Sequence, residues 1–294
     1  IRHTQLTEAP MTRPEIVLLG GPNSGKTHYA GQLYGRLQHS SGALTLRNSH
    51  GAPDDLSVLH EVLSCLESGN AAQHTSTGAW DNVHLPLIDS KGREFDLNWP
   101  DYGGEQLKQV FTTRSVNQSW QKKLINANGW VLLIRLNSEA TYPDALENLV
   151  NDKVENDTMR NRANSWDANA YWVEKLQILL HVAKIGWKNQ IQAPPLTILL
   201  SCYDEIGDEQ TPPVEFLSQK LPLVASFIQS NWKDDEVSVW GLSALGQELS
   251  AESKSVDFID EGPESQGWVL PPEGGNKIND LTLPLMWLFE RMSL

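Results

Sequence analysis

The sequence feature that most constrains this chain is a glycine-rich segment between a short apolar run and a stretch with helical periodicity. The segment reads Gly20-Gly21-Pro22-Asn23-Ser24-Gly25-Lys26-Thr27 and fits the phosphate-binding pattern G-x-x-x-x-G-K-[ST]. A buried strand is predicted before it by Ile16, Val17, Leu18 and Leu19. A helix is predicted after it, with one apolar face formed by Ala30, Leu33, Tyr34 and Leu37. A strand, a glycine loop and a helix in this order indicate a nucleotide-binding site.

The chemistry of phosphate binding assigns roles within this segment. Glycines let backbone N–H groups turn inward around phosphate oxygens, and the start of the following helix adds its positive dipole end. Lys26 is expected to act in catalysis by reaching the β- and γ-phosphates, and the Thr27 hydroxyl is expected to bind Mg²⁺, which prefers oxygen ligands. The predicted nucleotide-binding residues are Gly20, Gly21, Pro22, Asn23, Ser24, Gly25, Lys26, Thr27 and His28. The alternative, a glycine-rich turn that fits the pattern by accident, is disfavoured by the strand and helix on either side.

The charge of the chain argues against nucleic acid as a partner. The 294 residues carry a formal net charge of −14, whereas a surface that neutralises nucleic-acid phosphates is basic. The two cysteines, Cys65 and Cys202, have no metal-ligand or disulfide spacing, which is typical of a reducing cytoplasm. No apolar run approaches the length of a membrane span and no lipidation motif is present, so no membrane attachment is expected.

The expected organisation is one nucleotide-binding domain with additions. Residues 1–14 include Met11 and are expected to be an N-terminal extension or a trimmed segment. Residues 15–294 are expected to form the domain, with a helical elaboration at 138–195 and a Gly/Pro/acid-rich loop insertion at 250–279.

Strand patterns alternate with helical patterns along the domain. The strands predicted after the first helix lie at 80–88, 93–99, 130–134, 196–200 and 237–240. A helical piece is predicted over 214–231, and a last helix has an apolar stripe that includes Leu281, Leu285 and Leu288. This alternation predicts an α/β fold of the P-loop NTPase type, with a mixed sheet, helices on both faces and a helical insertion.

A long connection follows the first predicted helix, from residue 39 to residue 79. Connections of this length are uncommon unless they are functional, and in nucleotide switches such a loop supplies a threonine to the metal and the γ-phosphate. Thr75 and Thr77 are both candidates for this catalytic and Mg²⁺-binding role. The alternative is that both are ordinary loop hydroxyls.

A predicted hairpin leads into a second loop that suits a metal and a phosphate. Its two strands are joined by a turn at 89–92, and the second strand runs into Asp101-x-x-Gly104 and then Glu105. An Asp after a strand that ends beside the phosphate loop suits a Mg²⁺ site, so Asp101 is a candidate metal residue. Gly104 would let a backbone N–H approach the γ-phosphate, and Glu105 would lie next to it.

Taken in order, these signals resemble the Ras-like GTPase domain of the TRAFAC class. The resemblance also rests on two later strand ends, Ser-Cys-Tyr-Asp at 201–204 and Ser-Ala-Leu at 243–245, where the class has [NT]-K-x-D and S-A-[KL]. It implies GTP and GDP as ligands, with Mg²⁺, and a base site formed by Cys202, Asp204, Ser243, Ala244 and Leu245. Asp204 would accept hydrogen bonds from guanine N1–H and its exocyclic amine, which adenine does not offer, and the Ala244 N–H would meet guanine O6.

A narrower resemblance is to the bacterial double-GTPase group. It is carried by the segments at 99–105, 200–205 and 267–270, and by 280–285 near the end of the chain. Proteins of that group are usually inferred to belong to multi-gene conflict or antiphage systems.

The sequence departs from the GTPase pattern at two positions. Cys202 stands where the class usually has a lysine whose stem covers the base, and Glu105 stands where Ras-like enzymes carry the glutamine that orients water. No motif places an arginine as a finger, although Arg93 and Arg114 are near enough in sequence to be considered. We therefore expect slow intrinsic hydrolysis that a protein partner could accelerate.

Three functions follow from these residues. The leading one is a regulatory GTPase whose loops change partner affinity. The second is an assembly module that binds GTP without meaningful turnover, and the third is a P-loop ATPase in which Asp204 occupies an ordinary turn. Protein partners are expected, and the sequence leaves the oligomeric state open.

Overall fold

The computed structural model describes ten segments of the chain. They are residues 13–21, 23–39, 42–47, 56–72, 83–99, 113–116, 118–138, 167–186, 189–207 and 211–292. Within them a single sheet of eight strands has the order β2-β3-β4-β1-β5-β6-β7-β8. The strands are β1 Glu15–Gly20, β2 Leu44–Leu46, β3 Val83–Asp89, β4 Glu94–Trp99, β5 Gly129–Ile134, β6 Leu196–Ser201, β7 Val237–Ser243 and β8 Trp268–Leu270.

The sheet is mixed, as the sequence predicted. The five central strands, β4, β1, β5, β6 and β7, are parallel. The β2–β3, β3–β4 and β7–β8 pairs are antiparallel. Because the five central strands are parallel, their carboxyl ends all lie together along one side of the sheet. That side is called the carboxyl edge.

Helices cover both faces of this sheet. They are α1 Lys26–Gln38, α2 Ser57–Glu67, α3 Gln118–Asn126, α4 Ala168–Val182, α5 Pro213–Lys220, α6 Pro222–Asn231, α7 Val256–Glu261 and α8 Leu283–Arg291. Alternate residues of β1 enter different cores: Val17 and Leu19 join α3, α4, α5 and α6, whereas Ile16 and Leu18 join α1, α2, α7 and α8. The predicted α/β fold with helices on both faces is therefore confirmed. Within the described ranges, no helix is both long enough and apolar enough to span a bilayer.

Two segments differ in detail from the sequence prediction. The single helical piece expected over 214–231 is two helices that meet at Leu221, because a residue before proline is disfavoured in helical geometry and Pro222 begins α6. The segment 250–279, expected as a loop insertion, contains α7 and β8. Strand β8 extends the sheet through its antiparallel pairing with β7. Of the predicted helical elaboration at 138–195, α4 lies within the described residues, and 139–166 lie outside them.

Helix α1, which follows the phosphate loop, is attached to the C-terminal part of the chain by a buried arginine. Arg36 donates to Gln32 Oε1 at 2.7 Å and to the carbonyl oxygens of Asn279 at 3.1 Å, Gly267 at 3.4 Å and Gln266. Burial lowers the pKa of Arg36 to about 10, so the guanidinium remains charged at neutral pH. This charge is satisfied mainly by backbone carbonyls, which fixes the 266–279 segment against α1.

We predict that Arg36→Ala lowers the free energy of unfolding by about 3 kcal/mol, because it removes the donor to the buried Gly267 carbonyl and to the partly buried carbonyl contacts at Gln266 and Asn279. Urea unfolding followed by tryptophan fluorescence measures the change. Arg13→Ala is the matched control, since Arg13 pairs with Glu94 at 2.9 Å on the surface and its loss is expected to change stability by less than about 1 kcal/mol. Equal losses in the two variants would contradict the anchoring role of Arg36.

Candidate nucleotide-binding site

The phosphate loop, residues 20–27, leaves the sheet at the end of β1 and enters α1 through a left-handed glycine. Gly25 has φ +76° and is the N-cap of α1, and its carbonyl accepts the first helical hydrogen bond, from the Tyr29 N–H at 2.9 Å. Asn23 also has positive φ, +55°, a conformation that asparagine tolerates better than most residues. The loop thus turns its backbone sharply at the N-terminus of a helix, where anions are stabilised.

Lys26 is drawn into the phosphate loop. Its Nζ donates to the carbonyl oxygens of Gly20 at 3.0 Å and Gly21 at 2.6 Å, and to Ser24 Oγ at 3.3 Å. The Ser24 hydroxyl in turn donates to the Gly21 carbonyl at 2.9 Å. A Cβ at Gly20 would lie 2.7 Å from Ser24 Oγ and 3.2 Å from Lys26 Cδ, so a side chain there would force these groups to shift. The arrangement concentrates positive charge beside the α1 amides.

Thr27, the predicted Mg²⁺ ligand, lies in the first turn of α1 beside the phosphate loop. Thr27 is the second residue of α1 and is half-buried, and His28 follows it on the same turn. The described residues hold no cluster of three or more His, Cys, Asp or Glu side chains that could bind a metal alone. A hydroxyl ligand at a helix start matches the way Mg²⁺ is bound with few protein ligands and with phosphates. Of the other predicted site residues, Pro22, Thr75, Thr77, Asp101, Gly104 and Glu105 lie outside the described residues.

The predicted base-binding residues lie at the same edge of the sheet as the phosphate loop. Cys202 follows β6 directly and adopts φ +52°, and a short 3₁₀ turn over Tyr203–Ile206 contains Asp204. A Cβ on Gly25 would lie 3.8 Å from Cys202 Sγ and 4.0 Å from Ser201 Cβ, so the phosphate loop packs directly against this strand end. Burial raises the pKa of the Cys202 thiol to about 11, which keeps it neutral.

The predicted Ser243-Ala244-Leu245 segment ends β7 at this edge too. Ser243 is buried, and its Oγ accepts a hydrogen bond from the Gly246 N–H at 2.9 Å. Gly267 has φ +81°, and a Cβ there would lie 2.3 Å from the Ala244 carbonyl oxygen. The chain before β8 therefore closes tightly over Ala244, which holds the backbone of the tripeptide in place.

An arginine that the sequence reasoning missed lies between these loops. Arg135 follows β5 and forms an ion pair with Glu205, with Nε 3.1 Å from Oε2, and its Nη1 donates to the Asn23 carbonyl at 3.4 Å. The signal that could have found it is positional, because a charged residue directly after a buried parallel strand lies at the ligand-binding edge.

The two arginines considered from the sequence lie elsewhere. Arg93 precedes β4, at the opposite edge of the sheet from the phosphate loop, and its Nε is 2.7 Å from Asp89 Oδ2. The suggestion that Arg93 serves as an arginine finger, a cation that contacts the transferred phosphate, is therefore wrong. Arg114 forms an ion pair with Glu174 of α4.

Helix α4 forms a wall beside the phosphate loop. The Trp172 ring would lie 3.7 Å from a Cβ on Gly21, and Lys175 Nζ lies over the rings of Tyr171 and Trp172, 3.7 and 4.4 Å from their centroids. The aromatic side chain of Trp172 therefore lies next to the loop backbone at Gly21.

Comparison with known proteins identifies the family. A family model described as Double-GTPase 1 matches residues 17–288, which is nearly the whole chain. The chain belongs to the Double-GTPase 1 family. Membership makes it a GTP-binding protein of the P-loop type, and the guanine nucleotide predicted from the sequence resemblance is supported.

Comparisons with individual proteins are more distant. A search of curated proteins gave no significant match. Among solved structures, the Arl6 BBS3 small GTPase from Trypanosoma brucei, with a bound nucleotide analogue, is 12% identical with a TM-score of 0.40, over 96% of this chain and 100% of that one. The signal recognition particle receptor complex from Chaetomium thermophilum is 16% identical with a TM-score of 0.38, over 82% of this chain and 95% of that one.

We predict that Gly25→Ala abolishes nucleotide binding at concentrations that saturate the unaltered protein, because a left-handed φ is strained for alanine and a shift would misdirect the loop amides. Gly92→Ala is the matched control. Gly92 has φ +78° in the hairpin turn at the opposite edge, and nothing lies within 4 Å of a Cβ there. Both variants are expected to lose about 1 kcal/mol of stability. Retained binding by Gly25→Ala, measured by calorimetry, would contradict the assignment.

Proposed function

We propose that this protein is a nucleotide-dependent switch that binds GTP and GDP with Mg²⁺, hydrolyses GTP slowly and changes its affinity for protein partners. The observation that carries the proposal is the contact of the phosphate loop with the strand end before Asp204, where Gly25 packs on Ser201 and Cys202. The phosphate loop then lies at the same edge of the sheet, the carboxyl edge, as the Asp204 carboxylate, which suits guanine. Family membership supports the same ligand.

Asp204 is proposed to select guanine. A carboxylate accepts the two N–H donors on one edge of guanine, and with adenine it would be left desolvated and unpaired. The Ala244 N–H would contact guanine O6, while Ser243 and Leu245 hold that turn. Cys202 contributes contact area without charge, because its thiol stays protonated.

Lys26, Thr27 and the loop amides are proposed to act on the phosphates. Lys26 would release the carbonyls of Gly20 and Gly21 and donate to phosphate oxygens, and the amides at the start of α1 would stabilise the charge that builds up during transfer. Mg²⁺, when bound, neutralises β- and γ-phosphate charge. Thr27 would hold it, together with Thr75 or Thr77 and with Asp101, and the Gly104 N–H would approach the γ-phosphate.

Slow hydrolysis is proposed on two grounds. Glu105 replaces the glutamine that orients water in Ras-like enzymes, and a carboxylate beside the γ-phosphate repels it. Arg135, which contacts the phosphate loop at the Asn23 carbonyl, is engaged by Glu205. A partner that supplies a cation or orders the loops would raise the rate.

Protein partners are proposed over nucleic acid because the net charge of −14 opposes phosphate backbones. The free cysteines Cys65 and Cys202 suit a reducing cytoplasm. The double-GTPase resemblance favours a role in a bacterial multi-gene conflict or defence system.

Binding of GTP, GDP and ATP with Mg²⁺ is the first test. We predict selective binding of guanine nucleotides, loss of all binding in Lys26→Ala, and loss of the GTP-over-ATP preference by about tenfold or more in Asp204→Asn. Asp234→Asn is the matched control, because Asp234 also lies in a 3₁₀ turn, at the opposite end of β7. ATP preference in the unaltered protein would favour the ATPase alternative and contradict the proposal.

Single-turnover hydrolysis tests the switch. We predict a rate below about 0.01 s⁻¹ for the isolated protein with Mg²⁺, and a faster rate in Glu105→Gln. A rate near 1 s⁻¹ without a partner would show that the chain is already complete as a catalyst. No phosphate release, together with oligomers that form on a non-hydrolysable GTP analogue in light scattering, would favour the assembly module.

A further inference from the structure

We propose that Arg135 is a positioning residue for nucleotide binding, which holds the phosphate loop and the loop at 202–207 together. The inference rests on the proposed function, because it assigns these two loops to the phosphates and the base of one nucleotide. It goes beyond that function by naming a residue outside every motif that the sequence displays.

Arg135 contacts both loops at once. On one side, Nη1 donates to the carbonyl oxygen of Asn23 in the phosphate loop at 3.4 Å. On the other, Nε and Nη2 donate to the two carboxylate oxygens of Glu205. A planar guanidinium that engages a carboxylate through two nitrogens fixes direction as well as distance. Arg135 therefore links the two loops through a single side chain, beside the direct packing of Gly25 on Cys202.

A neighbouring hydrogen bond to the Glu205 backbone anchors the Arg135–Glu205 ion pair, unlike an ordinary surface pair. Asn137, two residues further along, donates through Nδ2 to the Glu205 carbonyl at 2.8 Å, so the turn after β5 holds Glu205 by its backbone and its side chain. The side chains of Arg135 and Glu205 are 32% and 28% exposed, against 54% and 39% for the Arg13–Glu94 pair. Lower exposure reduces solvent screening of the pair.

The backbone contact at Asn23 bears on the amides that are proposed to bind phosphate. Asn23 adopts φ +55°, and its carbonyl is the atom that Arg135 contacts. The N–H groups that would face phosphate belong to the same stretch of backbone. A restraint on the Asn23 carbonyl therefore acts on the orientation of those donors.

Charge supports the same role. Glu205 and Asp204 are acidic residues at an edge that would accept a polyanion, and the neutral Cys202 thiol does not offset them. The hydrogen bonds from Arg135 to Glu205, with the nearby charge of Asp204, raise the pKa of Arg135 and keep it cationic. Without Arg135, the Glu205 carboxylate would remain uncompensated next to the phosphate loop.

The test is the dissociation rate of N-methylanthraniloyl-GDP from the full chain with Mg²⁺, together with the melting temperature of the nucleotide-free protein. We expect Arg135→Ala to raise the dissociation rate about tenfold or more, and Arg135→Lys, which keeps the charge without the planar fork, to give an intermediate rate. The Arg135→Ala/Glu205→Gln double variant should recover at least half of the loss on a logarithmic scale, because the uncompensated charge is removed. Arg13→Ala should dissociate at the rate of the unaltered protein.

Three outcomes would overturn the inference. The first is a rate within twofold of the unaltered protein in both Arg135 variants. The second is no recovery in the double variant, and the third is a melting temperature that falls in proportion to the rate change across all variants, as a general structural role would produce. An unaltered protein that binds no guanine nucleotide would instead refute the proposed function itself, since the Arg135 comparison requires a bound GDP.

Discussion

The hydrogen bonding of β1 between two parallel neighbours is the constraint on which the candidate site depends. β1 pairs with β4 on one side and β5 on the other, and Ile16 to Leu19 are buried on both faces. A strand held in this way cannot change register by one residue without moving every side chain to the wrong core. Gly20 therefore leaves the sheet at a fixed point. Because the neighbouring strands are parallel, Arg135 and Cys202, which follow β5 and β6, and Ser243, which ends β7, lie at the same carboxyl edge.

The positive groups at that edge are positioned individually rather than as part of a basic surface. In a chain with a net charge of −14, the overall field would repel a nucleotide, so binding has to come from local geometry. The groups proposed to supply that geometry are the α1 amides, Lys26, which is held by two carbonyls, and Arg135, which is held by Glu205. Lys26 and Arg135 are each held by hydrogen bonds within the described structure, and under the proposed function Lys26 exchanges its two carbonyl partners for phosphate oxygens when an anion binds.

Much of the fold could be predicted from local patterns, because strand and helix periodicities reflect which side chains are buried. The buried stripe of α8 and the strands β1, β5 and β6 were predicted in this way. Strand β8 was not, because its three residues are too short to show a period and their conformation depends on pairing with β7. In the site, Arg93 was considered and Arg135 was missed, since distance along the chain does not say at which edge of the sheet a residue lies.

The sequence by itself determined the phosphate loop, the helix that follows it and the α/β class, because glycine conformation and side-chain burial act over a few residues. It also provided the family resemblance, which the match over residues 17–288 bears out. Only the tertiary structure decided which strand ends lie together. The contact of Gly25 with Cys202 and the bridge from Arg135 to Asn23 and Glu205 join residues that are more than sixty positions apart. Such pairs arise from strand order in the sheet, and strand order depends on packing across the whole domain rather than on any local pattern.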